Sequence, residues 1–136
     1  MTEQKYNNEV VEMQIKEGIL YGTYLTEKVD LERAEYATAF RKKITLHKSY
    51  PALVDISAVK EVTREARSYF SQEAGDDLTA IAVLVNNPVT RMMVNFFMKF
   101  NQPKYPIRFF TNSDEAIVWL GKFDKLEALD GAEQNV

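Results

Sequence analysis

The chain contains no cysteine, only one histidine, five scattered glycines and no run of eighteen apolar residues. Each shortage excludes a class of function. Without cysteine there is no disulfide, no thiolate nucleophile and no thiolate metal site, and His47 alone cannot build a multi-histidine centre. No metal or other cofactor is therefore expected. Gly18, Gly22, Gly75, Gly121 and Gly131 lie too far apart to form a dinucleotide-binding or phosphate-binding loop. Seventeen basic against twenty acidic side chains give a net charge of −3, so no broad cationic field is present to draw nucleic acid or anionic lipid. Lys99, Lys104 and Arg108 gather around Tyr105, but this small basic group reads as ordinary surface. The opening MTEQKYNNEV lacks the apolar stretch of a signal peptide, and no segment is long and apolar enough to insert stably in a membrane. A cytoplasmic, soluble protein is expected.

What is present suits a packed core. A chain of 136 residues that is 46% hydrophobic and 27% charged is far from a disordered composition, and at this length roughly two thirds of the unfolded surface can be buried. One α/β domain is expected over residues 1–124, with 125–136 a frayed tail.

Val10 to Ile15 and Ile19 to Leu25 flank Glu17-Gly18 and read as an antiparallel hairpin. Asp30 can cap a helix running to about Lys48, with Tyr36, Ala37, Phe40 and Ile44 on its inner stripe and Glu32, Glu35 and Lys42 opposite. His47 continues that stripe and packs or caps carbonyls at the helix end. Tyr50 to Ile56 is a short interior strand, and Thr63 caps a second helix that Gly75 ends. Thr79 to Val85, TAIAVLV, is a strand covered on both faces. Asn87-Pro88 starts a third helix, with Val89, Met92, Met93, Phe96, Phe97 and Phe100 along a wide apolar stripe. Ile107 to Phe110 is the last strand. Asn112 with Glu115 opens a final helix packed through Ala116, Ile117, Trp119, Leu120 and Phe123. The order ββαβαβαβα implies a mixed five-stranded sheet with four helices.

That order, with Leu53-Val54-Asp55 leading through Ser57 into a helix, resembles the STAS fold of SpoIIAA-like proteins, named for sulfate transporters and anti-sigma-factor antagonists. The closing FFTNSDEAIVWL is similar to the end of STAS-like and lipid-exchange-protein-like bacterial families, in which an alanine and a Trp-Leu pair pack the last helix. The resemblance implies a phosphorylated serine at the start of the helix after Asp55. Counted in register, however, the preceding acid falls at Thr63 and the acceptor at Arg64, so the family's switch is lost. Ser57 and Thr63 keep the plainer roles of turn former and cap.

Asp55 stands at a strand end without a second carboxylate or histidine at a recognisable spacing, which makes it a turn-stabilising acid. On a helical wheel Arg64, Arg67, Ser68 and Ser71 face outward while Ala66, Tyr69 and Phe70 face in. Two arginines in the first turns oppose the helix dipole, and Glu61 and Glu65 can offset them. Asp55, Ser57, Thr63, Arg64, Arg67, Ser68 and Ser71 are thus the expected docking surface for a protein partner. Val94 and Met98, on the back of the third helix, are expected to meet a second copy in a homodimer or a hydrophobic ligand. No nucleophile, base and orienting group can be assembled, so no enzyme is expected. A non-enzymatic interaction domain is the leading reading; its rival is a carrier for a small hydrophobic, lipid-like molecule.

Overall fold

The β-branched run at Thr79 to Val85 is packed on both faces, Ala80 and Ala82 on one side and Ile81, Val83 and Val85 on the other. In the computed structural model, which describes residues 5–72, 77–92, 95 and 105–133, eight strands and four helices follow one another. They are β1 (Lys5–Asn7), β2 (Val11–Lys16), β3 (Ile19–Tyr24), β4 (Lys28–Val29), α1 (Leu31–Thr45), β5 (Tyr50–Asp55), β6 (Glu61–Val62), α2 (Arg64–Gln72), β7 (Leu78–Leu84), α3 (residues 88–92), β8 (Ile107–Phe110) and α4 (Ser113–Glu133). Six strands form one sheet in the order β1-β2-β3-β5-β7-β8. The three N-terminal strands run antiparallel, and β3, β5, β7 and β8 run parallel. The five expected strands are all in this mixed sheet, and β1 adds a short edge beside β2 through Lys5↔Gln14. The α/β architecture and the four helices are as expected.

Local chemistry places the boundaries. Glu17 and Gly18 both have positive φ, 53° and 80°, the geometry of the tight turn that matches the twist of a hairpin. Asp30 caps α1 by accepting from the Arg33 amide at 2.9 Å, and Asn112 accepts from the Glu115 amide at 3.0 Å to cap α4. Pro51 sits where the β5–β7 register shifts, a point in a sheet where a missing N–H is tolerated.

One layer is α4, whose Ala116 and Leu120 are fully buried against Ile19, Leu53, Ala80, Ala82 and Phe110. The Trp119 ring lies between Phe110, at 5.7 Å, and Phe123, at 4.7 Å. Helical backbone in α4 continues past Asp124, where the sequence suggests a frayed tail. The other layer holds α1 and α2. A separate two-stranded parallel pair, β4 with β6, joins Lys28↔Glu61 and Val29↔Val62.

Several sequence expectations shift. α1 ends at Thr45 because Leu46 and His47 adopt left-handed backbone, φ 54° and 61°. His47 therefore leaves the helical stripe, stands largely exposed and places Nδ1 3.5 Å from Asp77 Oδ2. Of the expected α1 stripe, Ala37, Phe40 and Ile44 pack against the sheet while Tyr36 is 49% exposed, and Ala34, Thr38, Arg41 and Thr45 are buried as well. Small side chains let this helix approach both the sheet and α2. Val89 and Met92 are exposed rather than buried, because α3 is anchored by Thr90, whose Oγ1 donates to the Val59 carbonyl at 2.6 Å.

Candidate ligand cavity

The two faces of the sheet are filled unequally. α4 packs directly on its own face, but between the opposite face and the α1–α2 layer lies a cavity of about 170 Å³. Strand alternation supplies its floor: Val11 and Met13 from β2, Leu20 and Gly22 from β3, Ala52 and Val54 from β5. Ile81 and Val83 of β7 continue it, with Ile107 and Phe109 of β8. Its walls are Ala37, Thr38 and Arg41 of α1, Arg67 and Phe70 of α2, and Val29 and Val62 of the β4–β6 pair.

Residue size explains why the space exists. Gly22, Ala37 and Ala52 are the smallest residues of its lining. A Cβ built on Gly22 would find only Met13 Cγ, at an ordinary contact distance of 3.9 Å. Beside the carboxyl end of β5, Ile56 and Val59 of the following connection also line the cavity. Asn87 Nδ2 donates to the Ser57 carbonyl at 2.7 Å, which fastens that connection to the start of α3.

The polar atoms at the cavity are few. Arg41 is buried, 5% exposed, and Thr38 is buried beside it on α1. Burial lowers the Arg41 pKa from its ordinary value, and the Asp77 charge opposes that fall. Guanidinium remains charged throughout the working range. Tyr105 is pushed up to about 12 by burial, with Arg41 pulling the other way, and its hydroxyl donates to the Phe70 carbonyl at 2.7 Å. Burial also raises Tyr24 well above the phenol range, again against the pull of Arg41. The Tyr24 ring meets Phe70 edge-on at 6.4 Å.

The expected docking surface does not form one outward face. Asp55 Oδ1 accepts from the Ser57 amide at 2.9 Å and fixes a turn, while Ser57 Oγ is buried. Thr63 caps α2 by accepting from the Ala66 amide at 3.2 Å. Arg64 points to solvent. Arg67, by contrast, folds back: its Nη1 donates to the Val62 carbonyl at 2.7 Å and the side chain lines the cavity. Ser68 is half-buried, and Ser71 is 4% exposed with its Oγ donating to the Ser68 carbonyl at 3.0 Å. A helical wheel assumes one covered face, but α2 packs on α1 as well as over the sheet. Val94 and Met98 lie outside the described residues.

The sequence reading missed Tyr24, Thr38, Arg41 and Tyr105. A signal existed for Arg41, since it falls four residues after Ala37 on the face that carries Ala34. Among the described residues, no cluster of three His, Cys, Asp or Glu side chains could hold a metal ion. Nor, among them, is any helix long and apolar enough to cross a membrane.

The model of a domain of unknown function, DUF7793, matches residues 13–124. The chain belongs to the DUF7793 family. That span takes in the cavity floor from Met13 onward and all of its walls. No curated protein matches this DUF7793 chain. A solved structure similar to it is that of an uncharacterised protein of the DUF3478 family, with a SpoIIAA-like fold, from Shewanella loihica PV-4. The two share 16% identity over 86% of this chain and 98% of that one, with a TM-score of 0.57. The likeness establishes the SpoIIAA-like fold expected from the strand and helix order.

Proposed function

We propose that this DUF7793 domain is a non-enzymatic binding protein for a small hydrophobic molecule, held between the sheet and the α1–α2 layer. The observation that carries the reading is the apolar cavity of about 170 Å³ kept open by Gly22, Ala37 and Ala52. A dry cavity of roughly 150 Å³ takes up benzene, so a ligand body of about six to eight carbons is of the right scale.

This reading leads over docking of a protein on the segment from Asp55 to Ser71, because Arg67 and Ser71 are drawn into the fold. Native mass spectrometry of freshly purified protein tests it together with the variant Gly22→Val. The wild type is expected to retain a small added mass, or to take up a six-to-eight-carbon apolar probe, whereas Gly22→Val fills the space and does neither. Gly22→Val should also raise Tm, since glycine within a strand is itself destabilising by about 0.5–1 kcal/mol. A wild type that neither retains nor takes up any such molecule refutes the proposal.

A further inference from the structure

Gly22 leaves the sheet bare at one point of the cavity floor. Strand register sets it in a row with Met13, Val54, Val83 and Phe109, all of which line the cavity, and it alone of the row has no side chain. Among the described residues only Met13 Cγ, at 3.9 Å, comes within 4 Å of where its Cβ would stand. A glycine inside a strand marks a place where another group approaches the backbone closely, and in sheets an aromatic ring laid over the bare peptide planes is one way of covering it. No ring of the described chain lies there. The frame around the gap is nevertheless aromatic. Tyr24 stands two residues on along β3, on the same face, and its ring meets Phe70 of α2 edge-on at 6.4 Å with an interplanar angle of 87°. Two residues of strand advance the chain by roughly 6.6 Å. Ring pairs prefer offset or edge-to-face contact with centroids about 4.5–7 Å apart, so a ring over Gly22 falls within reach of Tyr24.

We infer that the occupant is aromatic, a single ring in a body of about six to eight carbons, lying on the backbone at Gly22 and packed against the ring of Tyr24. The inference rests on the apolar-ligand reading above and adds the class of ligand to it. The floor and the rings divide the work: Leu20, Ala52 and Val54 surround the ligand's rim, and Tyr24, held by Phe70, selects its aromatic character. A saturated ring of the same carbon number uses the first without the second.

The test titrates two probes of equal carbon number, toluene and methylcyclohexane, into the full chain and follows them by NMR, which reads affinity and location together. Bound toluene is expected to move the α-proton resonances of Gly22 upfield, through the ring current above its plane, and to leave those of Gly18 in the hairpin turn and Gly121 on α4 in place. Methylcyclohexane has no ring current and produces no such shift. In Tyr24→Leu the preference for toluene over methylcyclohexane is expected to fall about 2-fold to 10-fold, the span of one aromatic pair, while Tyr24→Phe keeps it. Each probe leaves the same water in every variant, so its own hydrophobicity cancels from that comparison. Gly22 resonances unmoved by bound toluene overturn the inference, as does an unchanged preference in folded Tyr24→Leu. Binding of methylcyclohexane without toluene overturns it too and leaves the apolar-ligand reading standing. Failure of both probes to bind overturns the two together. Should Tyr24→Leu fail to fold, the Gly22 shift in the wild type still decides.

Discussion

Tyr105 links three parts of the molecule through one ring. It stands two residues before β8, lines the cavity and donates its hydroxyl to a carbonyl of α2. Its pKa is pushed up to about 12 from the model-compound value of 10.0, by burial first and against the pull of Arg41. Between those values the unfolded chain has released the proton and the folded chain still holds it. The folded state then binds more protons, so stability falls as pH rises, by about 1.4 kcal/mol per unit for each such group. Tyr24 shifts in the same direction and should steepen the loss. Thermal melts from pH 9 to 11.5 should show Tm falling across this window, and Tyr105→Phe should make the fall shallower. An unchanged pH slope in Tyr105→Phe refutes the assignment. Little of this was legible in the sequence. Tyr105 looked like a surface aromatic among lysines, because composition shows which residues are near in the chain and not which carbonyl waits across the fold. Asp55 and Thr63 were legible, since a turn-forming acid and a helix cap act on backbone two and three residues away.

At the scale of elements, patterns that act locally were read well and those that depend on neighbours were not. The continuous apolar run of β7 and the Asn112 cap of α4 announce themselves without knowledge of the rest. α1 was read in part: Ala37, Phe40 and Ile44 of the expected stripe do pack against the sheet, but Tyr36 is half exposed and the fully buried Ala34 was not read, because a helix wedged between a sheet and α2 must be thin where it touches both. The two helix layers should therefore respond differently to truncation. Leu120 on α4 is fully buried in a filled layer, so Leu120→Ala should cost about 2–5 kcal/mol by urea denaturation. Adding side chain at Gly22, beside the cavity, stabilises instead. A cost below about 1 kcal/mol for Leu120→Ala would contradict the packing described for α4.

For the molecule as a whole, the six-stranded sheet divides the interior into a side that is full and a side that holds space. The succession of elements and the mixed sheet were readable from the alternation of strands and helices, whereas the order of the strands across the sheet was not. The space was not, since it arises from three small residues on three elements, Gly22, Ala37 and Ala52, that are distant in the chain and close only once folded.

The β4–β6 pair gives that asymmetry a time course. It is only two residues long on each side, and beyond its own ladder the Lys60 and Glu61 amides donate to the Glu27 carbonyl at 2.7 and 3.0 Å and the Thr63 amide donates to the Val29 carbonyl at 3.1 Å. Breaking them costs far less than disturbing the central strands, so this pair can part while the sheet stays whole. Amide hydrogen exchange at Glu61 and Thr63 should run faster than at Ala82 on β7, and should slow when a six-to-eight-carbon apolar probe is bound. Equal protection at the three amides would show that the pair does not part by itself. If the pair does part, Val29 and Val62 work as a latch, and residence of a molecule inside is timed by the opening of this pair, independently of how firmly the core resists denaturation.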